Sequence, residues 1–390
     1  MFPLSVNSGR HSMHKCDYTM RHIIYYHQSL PLFSFKFSLW GPKAKENIFY
    51  YYLYPLYVKL FLNKHTFVAV QTEDIKVRFS KRYHFPAERI GVFSPEVEKI
   101  DVASVDAYEY PNDSYNFFYP SMGATYKEHL TLAYALERIY AEKEDVARRI
   151  RIHFTLTKDD NLALSKYIHD YQLDENFVFH GNMPHEQVLS MMKASHGLLF
   201  PSVIETLGLP LLEAASLGTP VIANDMGYAR EVLQGYEGVR FVTVHDYDGW
   251  AAQMIQCCEK KDAFAPYHVP DHDSWKRLIE QIRGEEESAH DKKVICVLAT
   301  ASATRGALAI YKQFVHALEQ YVGNDEWHVF VDVDMPMPTI PQVSYHVCHT
   351  KGFGRLWFDL IGFGREIKKM GVKPNVLFSL QNTGVICQRR

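Results

Sequence analysis

HGLLFPSVIETLGLPLLEAASLGTPVIAN, residues 196–224, decides how this chain folds. HGLLFPS is a short, continuous apolar run and reads as a buried strand. PLLEAASL reads as a short helix, with Pro210 at its start. Gly218 ends that helix and Pro220 forbids its continuation. TPVIAN reads as the next strand. A strand, a helix and a strand in so few residues make a βαβ unit, the building block of a parallel sheet.

Two carboxylates interrupt this apolar frame, Glu205 and Glu213. An unpaired buried carboxylate costs several kcal/mol. In an open α/β sheet, ligands bind beyond the carboxyl ends of the strands. That rule puts Glu205 in a ligand-facing loop and Glu213 on the first turn of the following helix. The loop Thr206, Leu207, Gly208, Leu209 feeds the helix N-terminus, where backbone N–H groups and the dipole suit a phosphate. Gly208 permits close backbone approach. Carboxylates accept hydrogen bonds from paired hydroxyls. A phosphate held by backbone and hydroxyls held by carboxylates together describe a sugar nucleotide. The bland alternative is a dipole-favoured Glu213 and a solvated Glu205.

The same alternation extends in both directions. YNFFYPS (115–121), RIHFTLT (151–157) and NFVFHG (176–181) read as strands. KEHLTLAYALERIYAEK (127–143), NLALSKYIHDY (161–171), PHEQVLSMMKAS (184–195) and GWAAQMIQCCEKK (249–261) have helical apolar spacing. DSWKRLIEQIRG (273–284) is one more helix, and EEESAHDK (285–292) is a charged linker. A second series follows: strands at 293–300, 326–334, 343–349 and 374–381, with helices at 306–321 and 353–371. It stops half built. At the other end, HIIYYHQSLPLF (22–33) reads like the middle of a domain.

The expectation is therefore an α/β chain in five parts. Residues 1–105 are the second half of one Rossmann-like domain, and 106–265 are a complete one. A crossover helix (266–284) and a linker (285–292) lead to 293–390, the first half of the domain begun at the other end. This circular order describes a permuted fold; the alternative is a truncated tandem product.

Composition narrows the class. The chain has 390 residues, 47% hydrophobic and 22% charged, ample for two cores. A net charge of −3 gives no general attraction to nucleic acid. Six scattered cysteines make neither a zinc set nor a disulfide framework. Cysteine usage and the lack of a signal pattern predict a cytoplasmic protein. The aromatic run IFYYYLYPLYVKLFL (48–62) is too short to span a bilayer. It reads as a half-buried helix, with a peripheral contact at the inner membrane face as the alternative. His11, His14 and Cys16 cluster without ligand spacing, so no metal site is assigned there.

The stretch 201–223 resembles the donor-site segment of family-4 (group 1) glycosyltransferases, with its Glu, seven residues, Glu signature. FVFHGNMPHEQVLSMMKASHGLLFPS resembles the family segment upstream and GYAREVLQGYEGVRFVTVHD the one downstream. FFYPSMGATYKEHLTLAYAL resembles the start of the donor domain. IIYYHQSLPLF and FSLQNTGV resemble acceptor-domain pieces, in reversed order.

The resemblance implies the two-domain GT-B architecture and a retaining transfer in polysaccharide biosynthesis, without a metal or other cofactor. The donor would be a nucleoside-diphosphate sugar and the acceptor a glycan or lipid-linked glycan. Glu213 would hold the ribose hydroxyls and Glu205 would face the donor sugar. The backbone of Thr206, Leu207, Gly208 and Leu209 would lie along sugar and diphosphate. Lys127 would neutralise the leaving diphosphate, and His27, a strand residue, would face acceptor and donor sugar. Two departures stand out. The family arginine just before the lysine is missing from SMGATYK, and the glycine-rich loop is reduced to ATRGAL, with Gly306 alone.

Two other readings remain. One is a non-catalytic sugar-nucleotide-binding remnant or scaffold. The other is a metal-dependent glycosyltransferase using Asp332-Val333-Asp334 or the triplet 271–273.

Overall fold

The computed structural model describes residues 20–33, 48–97, 99–111, 113–260, 264–270, 273–284, 292–302, 305–349, 354 and 357–382. His11, His14, Cys16 and the first two residues of the 271–273 triplet lie outside them. The described residues form two Rossmann-like α/β domains, each built on a parallel sheet.

The strands are β1 (Arg21–Tyr25), β2 (Thr66–Val70), β3 (Ile90–Val92), β4 (Tyr115–Tyr119), β5 (Ile150–Phe154), β6 (Phe177–Phe179), β7 (Gly197–Phe200), β8 (Val221–Asn224), β9 (Val239–Val242), β10 (Val294–Leu298), β11 (Glu326–Val331), β12 (Val343–Val347) and β13 (Val376–Ser379).

One sheet has six strands in the order β6-β5-β4-β7-β8-β9. Counted along the chain this is 3-2-1-4-5-6, the doubly wound order with its switch point between the first and fourth strands. Those are β4 and β7, and they pair directly, Phe117 opposite Gly197. Every residue of β7 and β8 is buried, as two helical layers require.

The other sheet has seven strands in the order β12-β11-β10-β13-β1-β2-β3. Its middle joins the two ends of the chain. β13 lies between β10 and β1, with Phe378 opposite both Val297 and Ile23. Counted from β10 to β13 and then on from β1, the order is 3-2-1-4-5-6-7, again doubly wound. The shared pairing covers edges and apolar faces that two separate half-domains would leave open.

Helix Ser274–Arg283 leaves the six-stranded domain and packs on the other. Its Trp275, Leu278, Ile279 and Ile282 join the core of the seven-stranded sheet. Trp275 stacks on Tyr25 of β1 with ring centroids 5.4 Å apart and donates to Gln313 Oε1 at 2.8 Å.

Elements of β2, β3, β9 and helix Glu73–Tyr83 go beyond the sequence-based assignment. The helix is started by Thr72, whose hydroxyl accepts from the Ile75 N–H at 3.3 Å. No helix of the described residues is long and apolar enough to cross a membrane.

Candidate functional site

Lys127 and Glu205 meet at the switch point of the six-stranded sheet. Lys127 ends a 3-10 turn, Thr125–Lys127, in the connection that leaves β4. Glu205 lies in the connection that leaves β7. The Lys127 ammonium donates to Glu205 Oε1, and only 12% and 16% of the two side chains is exposed. This is the crevice in which a doubly wound sheet binds its ligand.

Both loops are pinned before any ligand arrives. The Val203 N–H donates to the Tyr126 carbonyl at 3.0 Å, which ties one loop to the other. Tyr119 donates to the Lys127 carbonyl at 2.8 Å, and Tyr228 to the Ser202 carbonyl at 2.7 Å. Asn224 donates to the Pro201 carbonyl. Burial first, and the Glu205 charge second, push the Tyr119, Tyr126 and Tyr228 hydroxyls up, Tyr126 to about 12. They remain neutral donors around the carboxylate. Behind Lys127, burial and the lysine charge pull His129 down to about 3. His129 Nε2 lies 2.8 Å from Ser121 Oγ.

The loop Thr206–Leu209 leads into helix Leu209–Ser216, whose N-cap is Gly208 at φ +76°. An L side chain is strained there, which accounts for glycine. Leu207 is buried in the domain core and Leu209 is exposed. Gly218 has φ +73°, and a Cβ on it would come within 2.4 Å of the Phe264 carbonyl.

Glu213 stands in the second turn of this helix, not the first, since the helix begins at Leu209. A favourable interaction with the N-terminal dipole therefore does not explain it. Its carboxylate Oε1 lies 2.8 Å from His185 Nε2. The pair joins helix Leu209–Ser216 to helix His185–Ala194.

The carboxyl edges of the two sheets meet here. Thr72, just beyond β2, donates to the Thr206 carbonyl at 3.2 Å. Glu231, on helix Gly227–Val232, accepts the Glu73 and Asp74 N–H groups at 2.7 and 3.0 Å. Its carboxylate caps helix Glu73–Tyr83 from the other domain.

His27 and Gly306 belong to the seven-stranded domain. His27 sits two residues past the end of β1, so it is a loop residue rather than a strand residue. Its N–H donates to Asn382 Oδ1, and the Asn382 amide lies 3.3 Å from its Nε2. Burial pulls it down to about 4, so the imidazole is neutral at physiological pH. It lines a cavity of about 110 Å³ with Tyr54, Tyr57, Asp359, Gln381 and Asn382; Lys127 and Glu205 are not in that lining. This cavity lies at the switch point of its own sheet, beyond β10, β13 and β1.

Gly306 is in the first turn of helix Arg305–Tyr321 rather than in a loop. A Cβ there would meet nothing within 4 Å, so no close approach demands glycine. Asp332 and Asp334 follow β11 in a turn, where Asp332 Oδ1 accepts the Val333 N–H at 2.7 Å. Among the described residues, no group of three or more His, Cys, Asp or Glu side chains could hold a metal ion.

Sequence spacing could not reveal the partners Tyr119, Tyr126, Tyr228, His185, Thr72 and Asn382. The Lys127–Glu205 contact spans 78 residues and the His27–Asn382 contact 355.

Residues 111–268 match the family model for glycosyl transferases group 1. The O-antigen chain mannosyltransferase RfbU of Salmonella typhimurium is 21% identical over 227 residues, 57% of this chain and 60% of that protein. The D-inositol 3-phosphate glycosyltransferase of Corynebacterium urealyticum is 31% identical over 106 residues, 25% of this chain and 24% of that one. The chain thus spans three fifths or less of these curated relatives. Among solved structures, sucrose-phosphate synthase from Thermosynechococcus elongatus has a TM-score of 0.47 and 17% identity, covering 61% of this chain and 59% of that one. HepE of Anabaena, in complex with UDP and glucose, has a TM-score of 0.44 and 16% identity, covering 61% and 62%. The family match is confined to the six-stranded domain, and it contains Lys127, Glu205 and Glu213.

Proposed function

We propose that the protein is a retaining glycosyltransferase. It moves a sugar from a nucleoside-diphosphate sugar to a glycan or lipid-linked acceptor. One observation carries the reading: Lys127 and Glu205 pair at the switch point of a domain that matches group 1 glycosyl transferases.

In this reading Glu213, aligned by His185, takes the ribose hydroxyls. The backbone of Thr206 to Leu209 receives the diphosphate at the helix start. Lys127 then exchanges Glu205 for the diphosphate and stabilises the charge that develops on it. Glu205, released, accepts hydrogen bonds from the donor sugar. The bond from the anomeric carbon to the diphosphate oxygen breaks. The acceptor oxygen bonds to that carbon on the same face, and its proton passes to the leaving phosphate. His27, neutral and held by Asn382, orients the acceptor. With no arginine in SMGATYK, Lys127 carries the charge compensation together with the helix N-terminus.

The two chain ends serve as one acceptor-side domain. The strand order of the joint sheet favours a circular permutation of a doubly wound fold.

The test is release of nucleoside diphosphate from a panel of nucleotide sugars, with and without chelator. Chelator-resistant release that requires an acceptor is expected. Release abolished by chelator would move the chemistry to a metal-dependent mechanism. Binding without release for every acceptor tried would leave a sugar-nucleotide-binding scaffold.

A further inference from the structure

Leu207 and Gly208 are buried, and among the described residues no hydrogen bond takes up their N–H groups. Buried backbone N–H groups are almost always paired, so two orphans in succession point to a ligand. The carbonyl just before them is held. Thr72 reaches over from the seven-stranded domain and donates to the Thr206 carbonyl at 3.2 Å. The same hydroxyl accepts the Ile75 N–H at 3.3 Å, and the residue is 1% exposed. One buried hydroxyl thus caps a helix of one domain and holds a loop of the other. The domains are in close contact at this point. Glu231 accepts the Glu73 and Asp74 N–H groups, and a Cβ on Gly227 would come within 2.4 Å of Asp74 Oδ1.

We propose that Thr72 is a positioning residue for sugar transfer: its hydroxyl fixes the Thr206–Leu207 peptide so that the loop offers N–H groups, and not a carbonyl, to the donor diphosphate. In a trans peptide the C=O and the N–H point in opposite directions. With the Thr206 carbonyl held toward Thr72, the Leu207 N–H points away from it. Thr72 and Leu207 line a cavity of about 1450 Å³ between the domains, and Lys127 and Glu205 are not in its lining. The hydroxyl therefore holds the loop from a side that the ion pair does not share. Without that hold, rotation about the two soft dihedrals that flank the peptide would turn it over. A turned peptide would aim the Thr206 carbonyl oxygen at the diphosphate and repel it. Because Thr72 belongs to the other domain, the loop is in its binding form only while the two domains are in contact. The role in transfer rests on the function proposed above; the hold on the loop does not.

Substitutions at Thr72 separate the hold from the cap. Thr72→Ser keeps both functions. Thr72→Asn keeps both as well, since its amide oxygen caps and its amide nitrogen donates. Thr72→Asp matches Asn in size and also caps, but its carboxylate has no proton to give. Thr72→Val keeps the shape of threonine and loses both functions. Amide relaxation, measured by NMR on the full chain without ligand, should show added motion at Leu207 and Gly208 in Thr72→Asp and Thr72→Val only. Release of nucleoside diphosphate in the presence of acceptor should fall about fivefold or more in the same two variants, the worth of one neutral hydrogen bond. The loss should appear in kcat more than in the donor KM, because charge on the diphosphate grows as its bond to the sugar breaks.

A pure capping role would leave Thr72→Asp like the parent, and a pure charge effect would leave Thr72→Val like the parent. Either result overturns the proposal, and so does the absence of added motion in every variant. A Thr72→Ser protein that behaves like Thr72→Val overturns it too, because the hydroxyl alone would then not suffice. A parent that releases no nucleoside diphosphate from any nucleotide sugar sinks the transfer reading, while the relaxation data still decide whether Thr72 holds the loop. Equal release by parent and variants, with added motion in Thr72→Asp and Thr72→Val, sinks the positioning role alone.

Discussion

Lys127 and Glu205 stand 78 residues apart in the chain, yet the lysine ammonium and the carboxylate form an ion pair at the crevice of one sheet. Each side chain is mostly covered, so each needs the other while no ligand is bound. Lys127→Ala should destabilise the protein by about 1–3 kcal/mol, the cost of leaving a covered charge without its partner. The Lys127→Ala/Glu205→Ala double variant should lose less than the sum of the single variants. Denaturant melts of the four proteins check this. In turnover, Lys127→Ala should lower kcat by about 100-fold or more while shifting donor binding less. Equal loss in both would assign the lysine to uniform binding.

Glu213 and His185 make a separable prediction. If Glu213 receives ribose hydroxyls, Glu213→Ala should weaken binding of the free nucleoside diphosphate by about 10- to 100-fold, as losing a charged hydrogen-bond partner does. His185→Ala removes only the group that aligns the carboxylate, so its effect should be smaller and in the same direction. Calorimetric titration with the nucleoside diphosphate alone reads both. Unchanged affinity in Glu213→Ala would remove it from the nucleotide site.

The Glu231 carboxylate caps a helix that belongs to the other domain. Glu231→Ala should cost about 1 kcal/mol, the usual size of a lost cap. The local signature matters more than the total. Amide exchange should quicken at Glu73 and Asp74, whose N–H groups lose their acceptor, while β7 and β8 stay protected. Faster exchange across both sheets would point to general destabilisation instead.

Short-range pattern carries the six-stranded domain well, because its strands are brief apolar runs and its turns hold proline and glycine. HGLLFPS and TPVIAN appear as β7 and β8. The region of β2, helix Glu73–Tyr83 and β3 is harder to read. EDIKVRFSKRY is rich in charge, and only Ile75, Phe79 and Tyr83 turn inward. The two glutamates stand out as anomalies in an apolar run, but their partners do not. Lys127 and His185 lie on other elements, and only the crossing of the chain brings them in. Glu213 shows the limit of local rules. One residue of uncertainty in where the helix starts moves it out of the first turn.

Buried histidines set the response to acid. His22, His129 and His153 are almost fully covered, and burial pulls them down to about 4, 3 and 3 from 6.5. The unfolded chain takes up these protons first, below pH 6.5, while the folded protein holds the rings neutral. Stability is therefore full above that pH and falls as pH drops through the window down to the folded values. Each ring should remove on the order of 1 kcal/mol by one pH unit below 6.5. Urea melts between pH 7.5 and 5 should show the loss, and His129→Asn, beside Ser121 and Asn161, should flatten it. A flat profile in the parent would mean that these rings are not neutral when folded.

The pairing of β1 with β13 makes the strongest demand on the fold, since it joins the two ends of the chain. Arg21 and Val376 are register partners near the start of the two strands. Register partners on neighbouring parallel strands stand about 4.8 Å apart, within the Cα range that a disulfide spans. Arg21→Cys/Val376→Cys should therefore close a bond under mild oxidant. If the two ends pair within one molecule, the product is a covalently closed monomer that runs faster on a denaturing gel until reduced. If β13 instead completes the sheet of a second copy, the same bond gives a covalent dimer. If the halves do not pair, neither species forms beyond the background of the single-cysteine variants. The first outcome is expected, because β13 is held by β10 on its other edge with the register Ile295 to Val376. Without β1 it would expose a fully buried strand, Val376–Ser379, along one side.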